Sequence, residues 1–145
     1  MDRQLPTIGQ LERQLSQNIQ KFYRQELEHL PQKVTCKFFG NHISIVIEDA
    51  ITAVETTLVN KDNADKVAKN FSLAMDDVIK SKLKTTIEAV LAVKVDDILF
   101  GSNFETKRAG AIVILDRVPK MYNPKPLPKI RRSKKENEGN VNKTE

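Results

Sequence analysis

Two short runs of alternating residues meet at Gly40–Asn41, and that junction constrains the fold more than any other feature of the chain. Val34, Cys36 and Phe38 alternate with Thr35, Lys37 and Phe39. Ile43, Ile45 and Ile47 alternate with His42, Ser44, Val46 and Glu48. A period of two sends successive side chains to opposite faces of a strand. A Gly-Asn pair between two such runs suits the positive φ of a tight turn, so the segment reads as a β-hairpin.

The flanking segments change period. Thr7 followed by Gln10 reads as a capping box, in which each side chain bonds the other's free backbone N–H. Behind it Ile8, Leu11, Leu15, Ile19 and Phe22 form one apolar stripe on a helix running to about Leu27, which Leu30–Pro31 ends. Thr52 and Glu55 form a second capping box, opening a short helix through Leu58. The polar stretch Asn60–Asn63 is a linker, and Asn63 can cap the next helix. From Ala64 to about Leu91, Val67, Phe71, Met75, Val78, Ile79, Leu83, Ile87 and Val90 keep helical spacing with no glycine or proline, a helix of about seven or eight turns. Val93–Phe100 and Ala111–Val118 read as two further strands, with Gly101–Gly110 as the polar loop between them. The expected fold is α+β: a two-layer sandwich of one four-stranded, largely antiparallel sheet made of two hairpins. The N-terminal helix, the short helix and the long helix lie on one face.

The 145 residues suit one domain. Cys36 is the only cysteine, so no intramolecular disulfide forms, which fits a reducing cytosol. The N-terminus has no apolar stretch of the signal-peptide kind. The densest apolar runs, Val90–Val93 and Ala111–Leu115, are too short to cross a bilayer. A cytoplasmic location is expected, peripheral at most to the inner face of the membrane. The net charge of +5 is placed unevenly. Residues 1–117 hold 16 Lys and Arg against 16 Asp and Glu, whereas residues 118–145 hold 8 against 3. The chain divides into an α+β domain, residues 1–118, and a basic, charge-rich tail, residues 119–145, expected to be disordered.

Several segments together resemble the MpsC-like domain family, a bacterial family named for a sodium-translocating, membrane-potential-generating system. They are Gly9-Gln10-Leu11-Glu12 with Ile19 and Phe22; Asn41–Glu48 running into Ile51-Thr52-Ala53-Val54-Glu55-Thr56-Thr57-Leu58; Leu83-Lys84-Thr85-Thr86-Ile87-Glu88 with Val93-Lys94-Val95; and Thr106–Gly110 with Ile112-Val113-Ile114-Leu115. The likeness covers about residues 8–117. The chain departs from the family pattern at three places. Leu30-Pro31 is all that remains of an Arg-Gly-Pro element before the first strand. Ala92 stands where a glycine is expected, and Asn103 where an aspartate is expected. The resemblance implies no enzymatic activity, cofactor or catalytic residue, and it implies a link to bacterial membrane ion or inorganic-carbon physiology.

The residues themselves offer little chemistry. His29 and His42 lack metal-ligand spacing to each other or to Cys36. Cys36, in phase with Val34 and Phe38, reads as a core residue with no base beside it. The pairs Glu48–Asp49, Asp76–Asp77 and Asp96–Asp97 read as solvated surface or element ends, because neighbours on a helix or strand diverge. The Gly101–Gly110 loop, with Ser102, Asn103, Lys107 and Arg108, reads either as a plain hairpin connection or as a loop for an anion or partner. It lacks the Gly-Lys-Ser/Thr ending of a P-loop. In the tail, Lys125, Lys129, Arg131, Arg132, Lys134 and Lys135 form a run suited to phosphate backbones or anionic lipid headgroups, or to solubility alone. No aromatic residue is present there for base stacking.

The expectation is a non-enzymatic binding or regulatory module, without cofactor, that acts through protein partners and is accessory to a membrane ion or inorganic-carbon uptake system. The alternative is a nonspecific nucleic-acid-binding protein that uses its tail. Apolar residues on both faces of the hairpins, Phe38 beside Phe39 and the run Ile43–Ile47, lead to a homodimer.

Overall fold

The first helix, α1, spans Ile8–Glu26 and begins at the expected capping box. The Thr7 backbone N–H donates to Gln10 Oε1 at 2.8 Å, and the Gln10 N–H donates to Thr7 Oγ1 at 3.1 Å. The computed structural model describes residues 5–52, 55 and 65–121. Within them α1 is followed by β1 (Lys33–Phe39), β2 (His42–Glu48), a long helix α2 (Asp65–Leu91), β3 (Val95–Asn103) and β4 (Arg108–Leu115). The Thr52–Glu55 capping box forms: the Thr52 N–H donates to Glu55 Oε1 at 3.1 Å, and the Glu55 N–H donates to Thr52 Oγ1 at 3.3 Å. Glu55 is helical. The rest of the expected short helix, the linker Asn60–Asn63, the Ala64 start of the long helix and the cations Lys125–Lys135 lie outside the described residues.

The four strands form one antiparallel sheet in the order β1-β2-β4-β3. The first hairpin closes where the sequence placed it, and Gly40 takes the left-handed φ of 62°. Asn41 binds the hairpin to β4, its Nδ2 donating to the Leu115 carbonyl at 2.9 Å and its own carbonyl accepting from the Leu115 N–H at 2.9 Å.

The second hairpin differs from expectation. Strand pairing runs through the whole of the supposed Gly101–Gly110 loop except its tip, with Gly101 opposite Gly110, Ser102 opposite Ala109 and Asn103 opposite Arg108. Asn103 and Arg108 are tolerated in the strands because the face they share with Gly101 and Gly110 meets water, while Ser102 lies on the other face beside Asp76. A bulge at Asp96 shifts the register between Val95 and Asp97 and leaves both aspartates exposed, which simple alternation would not.

Direct pairing puts Val34, Ile47 and Ala109 on one face, together with Cys36, Ile45 and Ala111, and Phe38, Ile43, Val113 and Ile98. All of these are buried. Leu11, Leu15, Ile19 and Phe22 of α1 and Ile79, Leu83, Ile87 and Leu91 of α2 close the same core from above. Val78 stays exposed, so the buried stripe of α2 is narrower than its apolar periodicity. Helix α1 packs on β1 and on α2, and α2 packs on β3. The Glu12 carboxylate of α1 accepts from the Phe38 N–H at 3.0 Å, which occupies part of the β1 edge.

Ala92 follows α2 at φ 57°, with its N–H bonded to the Glu88 carbonyl at 2.9 Å. A left-handed residue after a helix is the position glycine fills best. That is the physical reason a glycine was expected where Ala92 stands.

Candidate functional site

The face of the sheet turned away from the helices is built in rows across the strands. Lys37, Ser44, Ile112 and Leu99 form one row; Thr35, Val46, Gly110 and Gly101 form the next; Phe39, His42, Ile114 and Asp97 flank the first on its other side. Val46, Ile112, Leu99 and Phe39 are exposed, Leu99 at 57% and Phe39 at 66%. The two glycines, in the same row as Val46, make a flat step within this apolar patch. A Cβ on Gly101 would meet nothing within 4 Å, and Gly101 has no positive φ. Neither crowding nor backbone strain within the chain calls for glycine there, whereas a glycine in a strand commonly marks close approach by another backbone.

The hairpin tip holds the four residues singled out for an anion or partner loop, and three of them are engaged within the chain. Asn103 Oδ1 accepts from the N–H groups of Glu105 at 2.9 Å and Thr106 at 3.2 Å, bonds an aspartate could accept equally. Arg108 Nε pairs with Glu48 Oε1 at 3.0 Å. The Ser102 side chain lies beside the Asp76 carboxylate. Lys107 takes φ 61°, and its carbonyl accepts from the Ala50 N–H at 2.7 Å, joining the tip to the segment after β2. The structure spreads these side chains over different neighbours and does not converge them on one point.

That joint borders a cluster the sequence did not announce. Tyr23, at the end of α1, is fully buried; its ring stacks on Phe22 at 5.0 Å and lies tilted against His29 at 6.5 Å. Its hydroxyl has no hydrogen-bond partner. Glu55 is buried, and Asp76 Oδ1 on α2 is buried without a partner. Burial first, then the charges of Glu55 and Asp76, hold the Tyr23 phenol above its ordinary range. Burial, then the charges of Glu55 and Asp77, raise the Asp76 carboxyl, against the opposing pull of Lys80 and Ser102. Asp76 is thus more than the solvated half of an acidic pair. The one signal for this cluster in the sequence was the Thr52–Glu55 capping box, which fixes the Glu55 backbone but not its burial.

The remaining candidates stay structural. Cys36 is buried, and burial pushes its thiol up to about 11, away from thiolate chemistry. His29 Nε2 lies 2.6 Å from the Asp49 carbonyl, and His42 is exposed on the open face. Among the described residues no three His, Cys, Asp or Glu gather as a metal-binding group. Among the described residues, shallow grooves flank the helices, one of about 320 Å³ between α2 and the Asp96 bulge and one of about 410 Å³ between Ser16 and Cys36.

Comparison with known proteins gives one finding. The family model described as Na+-translocating membrane potential-generating system (MpsC) matches residues 7–117, which span every described helix and strand. No curated protein and no solved structure gives a match.

Proposed function

Because the chain belongs to the MpsC family, described as a Na+-translocating membrane potential-generating system, we propose that it serves such a system as a non-enzymatic accessory module acting through protein contacts. The observation that carries this reading is the exposed apolar patch of Val46, Ile112 and Leu99, which spans two neighbouring rows on the open face of the sheet. Contiguous apolar residues on a water-facing sheet are a contact surface in waiting.

The first occupant of that surface is a second copy of the chain. The flat Gly101–Gly110 step lets another sheet approach closely. A two-fold axis along the strands lays β1 of each copy against β3 of the other. Each row then meets the same row of the other copy, with Lys37 opposite Leu99, Ser44 opposite Ile112 and Phe39 opposite Asp97. Lys37 reaches round the edge to Glu12 at 3.7 Å, a long pair between an exposed lysine and a largely buried carboxylate. Among the described residues no helix is long and apolar enough to cross a membrane, and this reading assigns membrane passage to partner subunits.

The test uses the cell that encodes the protein, with Ile112→Glu in place of the native residue. Charge on the apolar patch is expected to reduce the Na+-dependent membrane potential to the level of a deletion strain, at unchanged protein abundance. A full Na+-dependent potential in that strain would contradict the reading.

A further inference from the structure

The covered side of the sheet carries a second feature, independent of the docking face. Apolar packing under the sheet gives way, at the end nearest the β3–β4 tip, to Tyr23, Thr52, Glu55, Asp76 and Ser102. Four separate parts of the chain deliver them. The last turns of α1 bring Tyr23, the capping box after β2 holds Thr52 and Glu55, α2 brings Asp76, and β3 brings Ser102. The Ala50 N–H to Lys107 carbonyl bond ties the capping-box segment to the hairpin beside them.

Two atoms at this end stand out. The Tyr23 hydroxyl and Asp76 Oδ1 are both buried, and both lack a hydrogen-bond partner. A phenol O–H and a carboxylate oxygen would satisfy each other if they met, so their separate orphan state means that they do not. A buried polar atom left unpaired costs about 1–3 kcal/mol, and more when charged. The Glu55 charge also acts on Asp76 as a like charge, and Lys80, on the next turn of α2, opposes it there. A single positive charge between them would remove both problems, since a phenol oxygen and two carboxylates all offer lone pairs.

We propose that this end of the core binds one hard, oxygen-seeking cation, held by the Tyr23 hydroxyl oxygen, the Glu55 carboxylate and Asp76 Oδ1. The donor set is oxygen throughout, which suits an alkali or alkaline-earth ion and not zinc or copper. Only two carboxylates take part, so hydroxyls and water complete the shell. Thr52 Oγ1 donates to Glu55 Oε1 at 3.0 Å and so orients one ligand, while Ser102 beside Asp76 orients the other. Asp76 is half-buried and Ser102 half-exposed, which leaves a way in from solvent beside α2.

The experiment uses the full chain carrying Tyr122→Phe. The sequence has two tyrosines and no tryptophan, so Tyr23 becomes the one strong chromophore. Tyrosine absorbance and heat of binding are followed while NaCl, KCl, MgCl2 or CaCl2 replaces choline chloride at constant ionic strength. At least one of the four ions is expected to give a saturable one-site response in both signals, and the ion that does so identifies the class. Asp76→Asn should weaken that binding by more than about tenfold, whereas Asp97→Asn on the open face should leave it unchanged. Absence of a saturable response to all four ions overturns the proposal, as does an equal loss in both variants. Should Asp76→Asn fail to fold, the Tyr23 response of the Tyr122→Phe chain decides alone.

Discussion

On β4, Val113 is fully buried and its neighbour Ile112 is 42% exposed; on β2, Ile45 is buried and Val46 is 38% exposed. The two faces of one sheet thus carry the same kinds of β-branched side chain at the same rungs of the ladder and meet opposite surroundings. What separates them is cover. Helix α1 places Leu15 and Ile19, and α2 places Leu83 and Ile87, over one face, while Phe39, Val46, Leu99 and Ile112 on the other stay exposed. The covered face holds the fold together. The open face adds little to folding and is free to hold a partner. Each face also has one exception: the covered side turns polar at Tyr23, Glu55 and Asp76, and the open side turns flat at Gly101 and Gly110.

The contrast between the faces is broken most severely by neighbouring truncations. Ile45→Ala should cost about 3 kcal/mol of unfolding free energy, since it opens a cavity in a packed core. Val46→Ala, one residue away, should cost less than about 1 kcal/mol. Urea unfolding of dilute protein measures both, and equal costs would mean that the open face is not open. A gain of about 1 kcal/mol is expected from Ala92→Gly, because glycine takes the left-handed conformation without the Cβ strain that alanine carries at φ 57°. Its midpoint in the same titration gives the answer.

Gly101→Val sharpens the contrast, because folding and association should move in opposite directions. Valine fits a strand better than glycine by roughly 0.5–1 kcal/mol, and nothing within 4 Å obstructs its Cβ. The same side chain fills the flat step, so the proposed dimer should dissociate at higher concentration. Light scattering on dilution, read beside the urea midpoint, separates the two effects.

The smallest expected effect is the pH dependence from Asp76. Its carboxyl is raised in the folded chain, so the folded state holds that proton to higher pH than the unfolded state does. In cation-free buffer, ionising Asp76 therefore costs stability as pH rises above the ordinary carboxylate range toward neutrality, and lowering pH recovers it. Asp76→Asn should flatten that part of the stability profile. Half-exposure screens the charge, which keeps the change modest.

The sequence revealed these regions unequally. The first hairpin was legible because Gly40–Asn41 interrupts two clean alternations, and both described helices because their apolar stripes are long. The second hairpin was displaced by three residues, since Gly101-Ser102-Asn103 lie on or beside a water-facing surface and carry the composition of a loop. A bulge at Asp96 leaves no local signature. The strand order depends on Ile45 meeting Ala111, a contact between distant segments that no short-range pattern encodes. Tyr23, Glu55 and Asp76 were illegible for the same reason: each is ordinary on its own element, and only the folding together of three separate segments brings these groups within reach of one another.

The central claim is that the uncovered face is a self-association surface, and sedimentation of the full chain against Ile112→Glu tests it most directly. The native chain is predicted to sediment at twice the chain mass and to dissociate on dilution, while Ile112→Glu sediments at one chain mass with an unchanged far-ultraviolet circular dichroism spectrum. A native chain that remains at one chain mass at the highest concentration it reaches, or a variant that remains a dimer, would contradict the account.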